Sequence, residues 1–231
     1  MHRYTRQVIL AQMGKRAQVR LENARVLCVG LGGLGCAVSL ALCSVGVGHL
    51  ALVDGDEVEI SNLPRQILHQ ERFVGCSKTL SALYQLHQHN HQTAIELYNF
   101  RLKDYACALE MAYDYDIVID ATDNTESKQL LQQVCGVLCK PLILASVWQW
   151  NGMFGVCHYR GNKCSDINEM DECVGVIGIL PPLIGYFQAL ETVKMLLGVS
   201  SPVKYMFVNS LHMRWLKERE RFELSENEKF S

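Results

Sequence analysis

One stretch constrains this chain more than any other. Residues 25–54 read RVLCVGLGGLGCAVSLALCSVGVGHLALVD, with no Asp, Glu, Lys or Arg between Arg25 and Asp54. A run of that length could cross a bilayer as a helix. Its glycines argue otherwise. Gly30, Gly32, Gly33 and Gly35, then Gly46 and Gly48, divide it into three pieces. Val26–Val29 suits a strand, the small apolar residues up to Val45 suit a helix, and Leu50–Val53 suits a second strand. Elements that are apolar on all sides belong in a parallel sheet covered on both faces. The stretch therefore predicts a buried strand–loop–helix–strand unit, with no membrane as partner.

The glycines in such a loop have separate tasks. One permits the turn out of the strand, one lets the backbone approach a phosphate, and one lets the helix pack against the sheet. Loop N–H groups and the helix N-terminus then face an anion. Asp54 closes the second strand at the separation expected of an acid that grips a ribose hydroxyl. The bland alternative is a tight turn in an α/β core that binds nothing.

With 231 residues the chain is sized for one large domain. A formal charge of −2 gives no whole-chain reason to expect nucleic acid or an anionic membrane as partner. The start, MHRYTRQ, is polar and basic and lacks the apolar core of a secretory signal. Of ten cysteines, none forms a CxxC pair, and most sit in apolar runs where a thiol behaves as a small hydrophobe. A reduced, cytoplasmic protein is the simplest expectation.

Along the chain, Thr5 to Leu21 reads as a helical, basic arm with a break at Gly14. In SNLPRQ, Ser61 or Asn62 is placed to cap a short helix with Pro64 in its first turn, presenting Arg65 and Gln66. Lys78 begins or sits early in the next helix, which ends near His87, His89 and His91; these read as a polar helix terminus rather than a metal site. Thr93–Tyr98, Asp116–Ala121 and Pro141–Val147 read as strands, with helices over Tyr105–Tyr113 and Glu126–Leu138 between them. Strands alternating with helices to about residue 147 argue a Rossmann-like, doubly wound, mostly parallel sheet. The pattern then changes. Gly152–Tyr159 alternates as an antiparallel strand, 160–173 is a polar acidic loop, and Pro181-Pro182 stops and restarts the chain. A buried helix follows over Leu183–Leu197, then two closing antiparallel strands at Lys204–Asn209 and Arg214–Leu216, and a polar tail. One domain of four parts is expected: an arm (1–22), a nucleotide-binding half (23–150), a second half (151–223) and the tail (224–231).

Ligands of open α/β sheets bind beyond the carboxyl ends of the strands. Three such ends carry polar groups: the glycine loop, Asp54 with Asp56, and Asp123 with Asn124. Arg65 and Lys78 can reach the same rim. Two acids and two cations about one phosphate loop suit a nucleoside triphosphate with Mg²⁺ better than a dinucleotide. No GxxxxGK[ST] sequence occurs, so the chain is not a P-loop NTPase.

Taken together, RYTRQ, GLGGLG followed by LVDGD, SNLPRQ, Lys78, DATDN and CVGVIGILPPLIGYFQALETVKMLLG resemble the ThiF/MoeB/HesA family, bacterial relatives of ubiquitin-activating enzymes. The likeness runs from Arg3 to about Gly198. It implies ATP-dependent adenylation of the C-terminal glycine of a ubiquitin-like sulfur-carrier protein ending in Gly-Gly, in thiamine or molybdopterin biosynthesis. The second half (151–223) would bind the carrier, whose tail would thread under the 160–173 loop. It further implies that Asp54 holds the ribose and that Gly33 lies against the nucleotide. Asn62, Arg65 and Lys78 would contact phosphates, with Ser61 and Gln66 alongside, and Asp123 would bind Mg²⁺ beside Asn124. Family members are usually homodimers, and Arg6 would then reach the partner subunit's ATP.

This sequence departs from the family pattern at the zinc ligands. Only Cys164 stands near the first of the usual two CxxC pairs, Ile167 takes its second position, and the tail has no cysteine; no zinc is expected. Cys173 matches a cysteine used covalently by some relatives, although Asp171 and Glu172 would raise its pKa and oppose that role. Three readings stay open besides carrier adenylation. A nicotinamide-dependent oxidoreductase would leave Arg65, Lys78 and Asp123 without a task. A non-catalytic carrier-binding subunit would not need them, and a peptide could replace the carrier.

Overall fold

The computed structural model describes residues 3–159, 175–199 and 203–216. The apolar stretch folds as its glycines require. Strand β1 (Arg25–Val29) leads through the loop into the helix Gly33–Val45, and β2 (His49–Val53) follows. Among the described residues no helix is long and apolar enough to cross a membrane.

Among the described residues six further strands join one sheet: β3 (Ala94–Tyr98), β4 (Ile117–Asp120), β5 (Leu142–Trp148), β6 (Asn151–Cys157), β7 (Tyr205–Asn209) and β8 (Arg214–Leu216). Their order is β3-β2-β1-β4-β5-β6-β7-β8. The first five are parallel and the last three run antiparallel, joined through the β5–β6 hairpin. The α/β, Rossmann-like architecture is thus as the alternation of elements indicates. Strand order reverses between β1 and β4, which opens a crevice at their carboxyl ends.

Counted in chain order, the helices of the described residues are α1 (Thr5–Val8), α2 (Gly14–Asn23), α3 (Gly33–Val45), α4 (Lys78–His89), α5 (Tyr105–Tyr113), α6 (Thr125–Leu138) and α7 (Leu180–Leu197). Period-two alternation sends Val26 and Cys28 of β1 to one face, where α3, α4 and α7 cover them. Leu27 and Val29 go to the other face, under α5 and α6. Cys28, Cys36 and Cys135 are fully enclosed, and burial pushes each thiol up to about 12, so they act as hydrophobes. Cys157 is disulfide-bonded, a local exception to the expectation of reduced thiols.

The structure corrects three local expectations. The arm is two helices, because 9–13 turns between them and Gly14, with φ +64°, opens the second. The turn before Pro64 is a single 3₁₀ turn, Ile60–Asn62, capped by Glu59 in a reciprocal pair with Asn62, and Pro64 lies beyond it. Pro181 and Pro182 do not stop the chain. They occupy the first turn of α7, where proline's missing N–H has no partner to lose. His87 and His89 lie in the last turn of α4, and His89 Nε2 is 2.7 Å from Ser44 Oγ. The acidic loop, with Cys164, Ile167 and Cys173, and the tail lie outside the described residues.

Helices α3 and α7 meet backbone to backbone at Gly185. A Cβ there would strike the Leu34 carbonyl and lie 3.0 Å from Ala37 Cβ. Alanine normally gains up to about 1 kcal/mol over glycine in a helix, but a main-chain carbonyl cannot step aside, so overpacking wins. Gly185→Ala should destabilise the fold by about 1–3 kcal/mol, lowering the melting temperature by roughly 2–4 °C per kcal/mol for a domain of this size. Gly136→Ala in α6, whose nearest neighbour is the His158 ring at 3.2 Å, should cost far less in the same thermal melt.

Candidate functional site

The crevice beyond β1, β2 and β4 is a cleft of about 1280 Å³. Its floor is the glycine loop. Gly30 leaves β1 at φ +94°, a left-handed conformation, and a Cβ there would sit 2.6 Å from the Ala121 carbonyl. Gly35 lets α3 settle directly onto the Gly30 carbonyl, so it is the glycine of helix packing and does not line the cleft. Gly32 is the open one: among the described residues a Cβ would find only Gln66 Nε2, at 3.8 Å. Gly33 also lines the cleft, yet a Cβ there would meet Pro181 at 2.6 Å, so it equally serves the seating of α7. Among the described residues helix α3 has no side-chain cap, which leaves its N-terminal N–H groups facing the cleft.

At the end of β2, Asp54 Oδ2 accepts the Leu31 N–H at 2.7 Å and Oδ1 accepts the Asp56 N–H at 2.8 Å. Burial raises its carboxyl above the usual aspartate range, against the pull of Lys78 and the two N–H donors. Asp56 is gripped by two cations. Lys78 Nζ donates to its Oδ2 at 3.1 Å, and Arg101 donates to Oδ1 through Nε at 3.0 Å and Nη2 at 2.7 Å. Partial burial alone would raise this carboxyl, but those hydrogen bonds outweigh it and hold it below the ordinary range. Lys78, the first residue of α4, is itself buried.

Of the residues singled out from the sequence, Gly30, Gly32, Gly33, Asp54, Asp56, Arg65, Gln66, Lys78, Asp123 and Asn124 all line this cleft. Arg65 is tethered by Nη1 to the Ser61 carbonyl at 2.9 Å. Gln66 is buried and its Oε1 has no hydrogen-bond partner among the described residues. Asp123 is exposed on the rim, while Asn124 spends its carbonyl oxygen capping α6 through the Ser127 N–H at 2.8 Å. Ser61 and Asn62 stand behind the wall, bonded to each other and to Glu59. Arg6 is exposed on α1 and is absent from the cleft lining of its own chain. Cys173 lies outside the described residues.

Three groups went unremarked in the sequence. Arg101 and Lys103 come from the loop after β3, and Lys128 from α6, so the cleft is more basic than Arg65 and Lys78 alone suggest. Their signal was position: Arg101 and Lys103 follow a parallel strand at its carboxyl end. The third is His69, buried beneath the glycine loop. Its Nε2 lies 3.1 Å from the Leu31 carbonyl and its Nδ1 3.0 Å from Ser81 Oγ of α4. Burial lowers its pKa, so it is neutral; donating to the carbonyl from Nε2 and accepting the serine hydroxyl at Nδ1, it ties the loop to the helix of Lys78.

The cleft can take a polyphosphate nucleotide on its own features. Among the described residues it has room beside Gly32, uncapped N–H groups at α3, the cations Arg65, Lys78, Arg101 and Lys103, and an orphaned acceptor in Gln66 Oε1. The exposed Asp123 carboxylate suits Mg²⁺, which binds through one or two carboxylates plus phosphate and water.

Known proteins bear on this geometry. The adenylyltransferase and sulfurtransferase MOCS3 of Anopheles gambiae is 41% identical over 206 residues, covering 85% of this chain and 46% of the relative. The MOCS3-1 protein of Zea mays is 38% identical over 212 residues, covering 87% and 45%. The chain thus spans about half the length of these curated relatives. Among solved structures, E. coli MccB with ATP superposes with a TM-score of 0.82 at 23% identity, over 94% of this chain and 70% of that one. PaaA gives 0.81 at 22%, over 94% and 72%; at such identities the likeness is one of fold. The model of the ThiF family matches residues 4–229. By that match and by its identity to the MOCS3 proteins, this chain belongs to the ThiF family.

Proposed function

We propose that this chain is an adenylyltransferase of the ThiF/MoeB type, acting with ATP and Mg²⁺ on the C-terminal glycine of a ubiquitin-like sulfur-carrier protein. The observation that carries this reading is the gathering of Gly32, Asp54, Arg65, Lys78 and Asp123 on one cleft, from five separate places in the chain. The relatives named as adenylyltransferase and sulfurtransferase support it. A nicotinamide cofactor would explain the glycine loop and Asp54 but give the cations and Asp123 nothing to do.

When bound, ATP supplies the phosphoryl centre to which a carboxylate becomes joined as pyrophosphate leaves, with Mg²⁺ neutralising phosphate charge. The chain's own part is to position and to stabilise charge, with no side-chain nucleophile required. Asp54, its carboxylate fixed by two N–H donors, is set to accept ribose hydroxyls. The α3 N-terminus, Arg65 and Lys78 face the phosphates, and Asp123 offers the metal a carboxylate. Asn62 and Ser61 act from behind the wall, holding the 3₁₀ turn whose end carries Arg65 and Gln66. Arg6, outside its own cleft, fits a composite site in a homodimer, completing the partner's cleft. Cys173 and the acidic loop belong to the carrier-binding half, residues 151–223. Thiamine or molybdopterin biosynthesis, in the cytoplasm, is the setting that accords with a sulfur carrier.

ATP–pyrophosphate exchange should appear only with a carrier bearing an intact C-terminal glycine. No exchange with any Gly-Gly carrier, or saturable binding of NAD in place of ATP, would overturn the reading. Arg65→Ala and Lys78→Ala should each slow exchange by roughly 10²–10³-fold, the scale of losing one charge-stabilising donor, without changing the circular dichroism spectrum. The shared site has its own test. Arg6→Ala and Lys78→Ala proteins, each strongly slowed alone, should recover part of the activity when co-expressed as a mixed dimer; mixtures no better than their components would remove Arg6 from the site. Metal analysis of the purified protein should find zinc well below one equivalent, since the CxxC pairs are missing.

A further inference from the structure

Lys128 projects from the first turns of α6 into the fork where β4 and β5 part. The two strands stay paired through Asp120 and Leu144. Beyond that point β5 continues alone on that side, and its Ala145 carbonyl has lost its β4 neighbour. Lys128 Nζ donates to that carbonyl at 2.9 Å, to the Thr122 carbonyl at 2.7 Å and to Asp120 Oδ2 at 3.3 Å. An ammonium has three N–H donors and no acceptor, so these three oxygens use its whole capacity. Although Lys128 lines the cleft, it has no donor to spare for a ligand.

The same three bonds bear on the loop that follows β4. Asp120 is fully buried; its Oδ1 accepts both the N–H of Thr122, at 3.0 Å, and the Thr122 hydroxyl, at 2.7 Å. Thr122 is therefore held on one side by Asp120 and on the other by Lys128. Asn124 is held as the cap of α6. Asp123 stands between two fixed neighbours, its carboxylate exposed on the rim.

We propose that Lys128 is a positioning residue: with Asp120 it clamps Thr122 and so fixes the Asp123 carboxylate in the geometry that receives the divalent cation. The inference rests on the reading of Asp123 as the metal residue. It adds that metal affinity is set by a buried ion pair that never touches the metal. Arginine could satisfy the same oxygens; an uncharged side chain could not.

The probe is Mn²⁺, followed by the paramagnetic resonance signal of the free ion, titrated into the full chain saturated with a non-hydrolysable ATP analogue. Lys128→Met should weaken Mn²⁺ by roughly 10–100-fold, as loss of an outer-shell partner does, while Lys128→Arg keeps affinity near that of the unaltered chain. Affinity for the analogue in EDTA should not move. Amide exchange at Thr122 and Asp123 should quicken in Lys128→Met alone. Since Lys128→Met leaves Asp120 buried and unpaired, the double variant Asp120→Asn/Lys128→Met removes that charge, and a folded double variant should show the same weakening. A folded variant that lacks the lysine yet binds Mn²⁺ unchanged overturns the proposal. Asp123→Asn separates the two levels. If it abolishes Mn²⁺ binding while Lys128→Met does not, only the positioning role falls. If it binds Mn²⁺ normally, or the unaltered chain binds none, the metal reading falls and the proposal with it.

Discussion

The arrangement depends on how closely backbone can approach backbone around the start of α3. Gly35 rests on the Gly30 carbonyl, Gly30 crowds Ala121, and Gly185 of α7 lies on Leu34. Three segments distant in sequence thus converge on a few residues with no side chains between them. The helix N-terminus, the end of β4 and the start of α7 meet at one place because nothing larger than hydrogen separates them there. Close packing of this kind tolerates little displacement. The cleft inherits its shape from it, since Gly32, Asp123 and Pro181 are its lining at that point.

On this frame the polar groups are held by one another before any ligand arrives. Asp54 is fixed by two main-chain N–H groups, Asp56 by Lys78 and Arg101, and Asp120 by Thr122 and Lys128. His69 joins the glycine loop to α4 from beneath. Such pre-arrangement is what adenylyl transfer would require of a protein that supplies position and charge rather than a nucleophile.

Much of this was readable in the sequence, for identifiable reasons. Residues 25–54 announce themselves because glycine spacing and unbroken apolarity leave few alternatives, and the later parallel strands follow from their β-branched runs. Asp54, Arg65, Lys78 and Asp123 were legible because each sits in a short motif beside a turn or helix start. Arg101 and Lys128 were not. Arg101 meets Asp56 across 45 residues of sequence, and a lone lysine on α6 looks like any solvated charge until the fork between β4 and β5 is seen. Pro181-Pro182 read as a break because proline interrupts helices in their interior. In the first turn it does the opposite, and only packing against Gly33 shows which applies.

The pairing of Lys78 with Asp56 has a thermodynamic corollary. The ammonium is not waiting free in the cleft: it already has an anion within 3.1 Å, and that carboxylate has Arg101 in reserve. With donors left over after Asp56, Lys78 can take a phosphate without releasing the carboxylate, but Asp56 already offsets part of its charge. The affinity gained is therefore smaller than an unpaired ammonium would give. Such partial neutralisation disfavours singly charged intruders such as chloride, and favours ligands that bring several negative charges on one rigid frame.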